Sequence, residues 1–226
     1  MLEGPFRGSD ARAAGLVTTD QLGGPRFRRV FPDIYLPADL EPDAPTLARA
    51  AYLLVRDRAG ALAGYSAAAL LGADCAPSGA PAEVALPGSA RPHPGLRTYR
   101  VTLAEADLTV VDGCRLTTPA RTAWDLARRL PLGDAVVAVD ALARQGGFEP
   151  SGLLARARRE PGARGVRQVA AVVALAEPRS ESEQETRLRV ALVRGGLPVP
   201  AVQHVVVDES GFTLARVALA YPAARL

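Results

Sequence analysis

A chain of 226 residues that is 48% hydrophobic and 23% charged has enough apolar surface for a core without staples, which excludes the disordered and disulfide-scaffold classes. The net charge is +3 and all 27 basic residues are arginine, a surplus too small to demand a polyanionic partner, although the forked guanidinium suits phosphate. No apolar run approaches the roughly 18 residues of a membrane span, and residues 1–10 lack the basic and apolar regions of a signal peptide. Cys75 and Cys114 form no CxxC and lie at no metal-ligand spacing from His93 or His204. The expectation is a reduced, cytoplasmic protein with no membrane partner. The Ala-, Gly-, Pro- and Arg-rich composition is also what a GC-rich genome produces.

The elements follow in chain order. Ser9 is placed to cap a short helix over Asp10–Ala14 that Gly15 ends. Thr18 and Thr19 open a second short helix, which Gly23-Gly24-Pro25 stop. Arg26-Phe27-Arg28-Arg29-Val30-Phe31 mixes basic and apolar residues like a half-buried strand with one basic face, and Asp33–Pro37 continues it after a turn at Pro32. Residues 38–44, with Asp39, Glu41 and Asp43, read as an acidic linker. Leu47, Ala50, Ala51 and Leu54 then form a helical stripe with Pro45 in its first turn. A second helix, capped by Ser66, stops at Gly72. Val84–Leu86 and Leu96–Val101 are β-prone. Leu108–Val111 and Cys114–Thr117 flank Asp112-Gly113, the strongest hairpin signal in the chain. Helices are predicted from a Thr118 cap to Leu130, over Leu132–Gln145, over Ser151–Glu160 and over Val166–Ala176. The last fifty residues differ: a helix opened by Ser182 runs to Arg194, and strands at Val199–Val207 and Phe212–Ala220 are joined by Asp208-Glu209-Ser210-Gly211.

Two stretches carry a resemblance. Ser66-Ala67-Ala68-Ala69-Leu70-Leu71-Gly72, with Thr117-Thr118-Pro119-Ala120-Arg121-Thr122-Ala123-Trp124-Asp125-Leu126-Ala127, resembles the middle region of the AbiEi-like antitoxins of type IV toxin–antitoxin systems. In that family an N-terminal winged helix-turn-helix binds promoter DNA. The segments Glu181–Arg189 and Ala215–Pro222 resemble the opening of a very-short-patch-repair (Vsr)-like endonuclease domain. Actinobacterial proteins join these parts in this order. The resemblance implies an α+β chain in three parts: a winged-helix-like unit at 1–38, an antitoxin-like middle domain at 45–177, and a restriction-endonuclease-like helix and hairpin, truncated, at 180–226.

Three places are candidates for chemistry. The resemblance makes Glu185 a remnant metal ligand, since in that nuclease fold a helix glutamate and strand carboxylates gather Mg²⁺ to activate water. Its i+3 and i+7 partners are Leu188 and Leu192, which sets the carboxylate along an apolar stripe. The plainer reading of Ser182-x-x-Glu185 is a capping box. The second place is position 218, where the family run Arg-Val-Asp-Leu-Ala-Tyr reads Arg216-Val217-Ala218-Leu219-Ala220-Tyr221. A methyl group binds no metal, and the family's next carboxylate is expected beyond Leu226. No metal site and no cofactor are therefore expected, Mg²⁺ entering only if the nuclease site were completed. The third place is the basic segment Arg26, Arg28 and Arg29, set to contact DNA phosphates from a wing, or equally a solvated strand edge that deters aggregation. The second helix is too short for base reading. Arg121 and Asp125 read as a surface ion pair, Asp140 as an outer-face residue, and Trp124 as core packing.

The expected function is a DNA-associated, antitoxin-like regulatory or interaction protein with a catalytically incomplete nuclease domain. Its expected partners are DNA, a toxin or other protein, and a second copy through an unpaired edge of the last hairpin. One alternative is a metal-dependent DNA endonuclease completed by further sequence or a partner chain. Another is a non-enzymatic protein-interaction module.

Overall fold

The computed structural model describes residues 2–88 and 91–224. It is a mixed α+β structure that packs as two compact units. The first holds the residues up to Gly72 together with Ala76–Thr122, and the second holds Ala73–Cys75 and the chain from Ala123 onward. The stretch 45–177 is thus shared between the two.

The first unit begins with β1 (Phe6–Arg7), α1 (Gly8–Ala13), α2 (Thr19–Gly23), β2 (Phe27–Phe31) and β3 (Ile34–Pro37). The strands form an antiparallel sheet in the order β1-β3-β2 over a small core of Phe6, Ala11, Val17 and Phe27. Helix α2 is held by a full capping box: the Thr18 hydroxyl accepts from the Gln21 amide at 3.2 Å, and the Gln21 side chain accepts from the Thr18 amide at 2.9 Å. Ser9 is not a cap. Helix α1 starts at Gly8 with Arg7 in the cap position, and the Ser9 hydroxyl donates to Asp33 Oδ2 at 2.6 Å, tying the β2–β3 turn to the helix.

Helix α3 (Ala44–Val55) starts where the Asp43 carboxylate accepts from the Thr46 amide at 2.8 Å, and it buries Ala48, Ala50, Ala51 and Val55. The buried stripe is therefore rotated from the expected one, and Leu47 and Leu54 stand at its margins. This face covers a five-stranded mixed sheet, ordered β6-β5-β4-β8-β7, made of β4 (Ala61–Leu62), β5 (Ala82–Leu86), β6 (Leu96–Arg100), β7 (Leu108–Val111) and β8 (Cys114–Thr117). Two of its pairings, β5 with β6 and β4 with β8, are parallel. Asp112 and Gly113 both have positive φ, as the tight β7–β8 turn requires.

Helix α4 (Gly64–Leu70) corrects a second cap assignment: it begins two residues before Ser66, whose hydroxyl instead accepts from the Glu83 amide at 2.8 Å. Glu83 is 1% exposed, and its carboxylate accepts from the Tyr65 amide at 2.6 Å, the Tyr99 hydroxyl at 2.6 Å and Arg97 at 3.2 Å. A buried charge is tolerated only with such partners. Gly64, at φ +51°, lies against this carboxylate, and a Cβ there would collide with it.

Helix α5 (Pro119–Arg129) starts from Thr118, whose hydroxyl accepts from the Arg121 amide at 3.3 Å. Arg121 and Asp125 are both buried rather than on the surface. Arg121 pairs with Asp107 at 2.5 Å and Asp125 with Arg128 at 2.6 Å. Trp124 is fully buried, with the Arg128 and Arg156 guanidinium carbons 5.0 and 5.6 Å from its ring.

At the centre of the second unit is α6 (Leu132–Gly146), in which nine consecutive residues, Ala135–Ala143, are buried. Such a helix has no solvent side, so Asp140 has no outer face to occupy. Around it lie α7 (Gly152–Arg159), α8 (Val169–Leu175) and α9 (Glu183–Arg194), followed by the antiparallel hairpin of β9 (Ala201–Val207) and β10 (Thr213–Ala220). Cys75 and Cys114 are both buried and form no disulfide. Among the described residues no helix is long and apolar enough to cross a membrane.

Candidate functional site

Two locations gather the residues singled out above. The first is where α9 meets the β9–β10 hairpin. Ser182 caps α9, its hydroxyl accepting from the Glu185 amide at 3.2 Å. The Glu185 side chain turns back, but to the amide of Glu181, which donates to Oε2 at 2.9 Å. This is a capping box displaced by one residue. The same Oε2 accepts from the side-chain amide of Gln203 on β9, also at 2.9 Å. Gln203 sits at φ +54°, a left-handed conformation unusual for a non-glycine residue within a strand. Beside it, Glu181 is ion-paired to Arg216 of β10.

The hairpin register pairs His204 with Val217 and Val202 with Leu219, which sets Ala218 across from Gln203. The structure therefore brings Glu185 and position 218 to one place, linked through Gln203. The donor set there is poor for a hard cation. Mg²⁺ needs near-octahedral oxygen ligands and gives up water reluctantly. Here one carboxylate oxygen is held by two N–H donors, the second carboxylate is neutralised by an arginine, and the facing strand offers a methyl group. These residues do not fit the ion. Among the described residues no group of three His, Cys, Asp or Glu side chains is placed to hold a metal.

Leu188 is more than half exposed and does not lie on the buried side of α9, so the stripe expected to carry Glu185 inward is not the packed one. The buried residues of α9 are Thr186, Arg189 and Val190. Thr186 and Arg189 reach Asp140 of α6: the hydroxyl donates to Oδ2 at 2.9 Å and Arg189 Nη2 at 2.6 Å, while the Glu177 amide donates to Oδ1 at 2.6 Å. Arg189 also donates to the Leu175 carbonyl at 2.5 Å and approaches the Ser180 hydroxyl at 3.4 Å. Burial raises the Asp140 pKa, against the opposing pull of the Glu177 amide, Arg189 and Thr186. Sequence reasoning missed this cluster. Its one visible signal was an aspartate inside the apolar run Val136–Leu142.

The second location is the basic segment on β2. Its arginines do not share one face, because Arg28 and Arg29 are consecutive residues of β2 and side chains alternate across a strand. Arg26 is exposed, with its guanidinium carbon 5.3 Å from the Phe27 ring centre. Arg28 is half-buried and donates to the Leu40 carbonyl at 2.8 Å; Arg29 is exposed and donates to the Phe31 carbonyl at 3.3 Å. Each of these carbonyl contacts uses one of a guanidinium's five N–H donors, and none neutralises its charge.

No protein-family model matches this sequence. Over 136 residues, 60% of the chain, it is 31% identical to two uncharacterized proteins of Mycobacterium tuberculosis, MT2308 and Rv2248. That stretch is 49% of each relative, so the chain spans about half the length of the curated relatives it matches.

Proposed function

We propose that this protein is a DNA-associated, antitoxin-like binding protein whose C-terminal helix and hairpin are a restriction-endonuclease-like element without catalytic capacity. The observation that carries the reading is the state of Glu185: its Oε2 is bound by the Glu181 and Gln203 amides, and Ala218 stands across from Gln203. A water-activating metal has too few oxygen ligands there. The DNA-binding half rests on the resemblance stated above and on the order β1-α1-α2-β2-β3 with sheet order β1-β3-β2, a helix pair followed by a hairpin as in a winged helix.

Binding in this reading is to phosphate rather than to base edges. Helix α2 has five residues, and the side chains of Thr18 and Gln21 are consumed in capping it. The exposed Arg26 and Arg29, with Arg28 behind them, supply the cations. The experiment is duplex binding followed by fluorescence anisotropy across salt concentrations. Replacing Arg26, Arg28 and Arg29 together by Ala should flatten the log–log salt slope by up to about 2.7, at roughly 0.9 per phosphate contact. An unchanged slope would overturn the assignment. Mg²⁺-dependent cleavage of DNA, lost in Glu185→Gln, would overturn the non-catalytic half.

A second reading, a protein-interaction module, is favoured by the far half of the hairpin. Val205, Phe212 and Leu214 are 46%, 69% and 61% exposed, and the two strands have no third neighbour among the described residues. Self-association through this edge predicts a dimer in sedimentation at high concentration; a monomer there rejects it.

A further inference from the structure

The end of strand β2 leads into a groove of about 610 Å³. Its apolar walls come from Pro32, from Leu54 of α3 and from Leu96 of β6. Among the described residues its polar groups are Arg58, Arg91 and His93, with no carboxylate on its walls. The acids nearest in sequence are committed elsewhere: Asp57 pairs with Arg7 and Arg56, and Asp10 with Arg56. Arg58 follows the C-terminal end of α3, is exposed and has other partners; Arg91 is exposed and makes no ion pair among the described residues. His93 packs its ring edge-on against Phe31 at 5.4 Å, and its Nδ1 bonds the Pro94 carbonyl, which fixes the ring's orientation. Two guanidiniums in a concavity with low-dielectric walls focus positive potential more than the same charges on an open surface.

We propose that this groove is a second phosphate site, which takes the sugar–phosphate backbone of the duplex that Arg26, Arg28 and Arg29 bind. The proposal rests on the DNA-binding reading and extends it past the wing. The continuity is along one strand. Arg29 and Pro32 are three residues apart, at most about 10 Å in extended chain, so neighbouring phosphates of one DNA strand can reach both. The Phe31 ring between them is the one that buttresses His93. The groove adds two arginine contacts to those of β2 and recognises no base.

The test measures the salt slope of binding to a random-sequence duplex for the wild type, for Arg91→Ala, for Arg58→Ala/Arg91→Ala, and for the triple Ala variant of β2. Circular dichroism confirms that each variant is folded. The expected result is a slope flattened by about 0.9 in the single and about 1.8 in the double variant, additive with the triple. Duplex binding whose slope is the same in wild type and double variant overturns the groove while leaving the β2 reading intact. Absence of any wild-type duplex binding at low salt ends the β2 reading. In that case the His93 ring resonances are followed while inorganic phosphate is added. A shift lost in the double variant then marks a site for small free phosphates and overturns the polynucleotide assignment, and no shift overturns the site altogether.

Discussion

Helix α9 presents two polar clusters within two turns, and they have opposite characters. At its middle, Arg189 and Thr186 reach Asp140 in a site where the two charged residues are 3% and 1% exposed, and both carboxylate oxygens have donors. At its first turn, Glu185 is half-buried, and its two donors share one oxygen. The fully paired cluster holds α9 against α6 and α8, so it belongs to the architecture. The lightly paired one lies where the proposed function places lost chemistry. A buried, perturbed carboxylate marks a functional site only when its charge is left with work to do.

Four measurements test that contrast, beginning with the largest effect. Arg189→Ala leaves Asp140 buried without its cation and should cost about 3–5 kcal/mol in urea denaturation, whereas Asp140→Leu with Arg189→Met should recover most of it. A loss below about 1 kcal/mol would show that the cluster is not structural. Gly64→Ala tests another buried carboxylate. It forces a side chain onto Glu83 at a positive φ and should cost about 1–3 kcal/mol by the same assay.

Asp43→Ala removes the cap of α3 and should cost about 1 kcal/mol. The Thr46 hydrogen bonds hold the Asp43 pKa below its ordinary 3.8. Its contribution is therefore present above that pH and lost as pH falls through the lower folded value. The wild-type advantage over Asp43→Ala should shrink in acid, and growth there would contradict the assignment. The smallest effect belongs to Glu185→Gln, which should change stability by less than about 0.5 kcal/mol. Mg²⁺ should leave the wild-type melting temperature unmoved. A Mg²⁺-induced rise in the wild type that is absent from the variant would give Glu185 the ligand role denied to it here.

Local signals were legible wherever the chemistry is local. The Asp112-Gly113 turn, the Thr18, Thr118 and Ser182 caps and the hairpin after α9 stand where short-range reasoning puts them. Ser9 and Ser66 deceived because a serine hydroxyl that meets a distant partner, Asp33 or the Glu83 amide, is indistinguishable in sequence from one that caps a helix. Asp140 deceived because helical periodicity assumes a wet side, which α6 lacks. The parallel pairings of β4 with β8 and of β5 with β6 join distant segments that no turn signal connects, and β4 is two residues long. Of the candidate site, Glu185 and Ala218 were readable as positions. Their link through Gln203 depends on hairpin register and on a left-handed residue that no propensity announces.

The single tryptophan has a practical consequence. Trp124 is wholly enclosed, with two guanidiniums near its ring, and it belongs to the second unit alone. Its fluorescence is thus an intrinsic probe of the packing around α5 in that unit. Comparing it with circular dichroism during denaturation reveals whether the halves unfold together or in sequence.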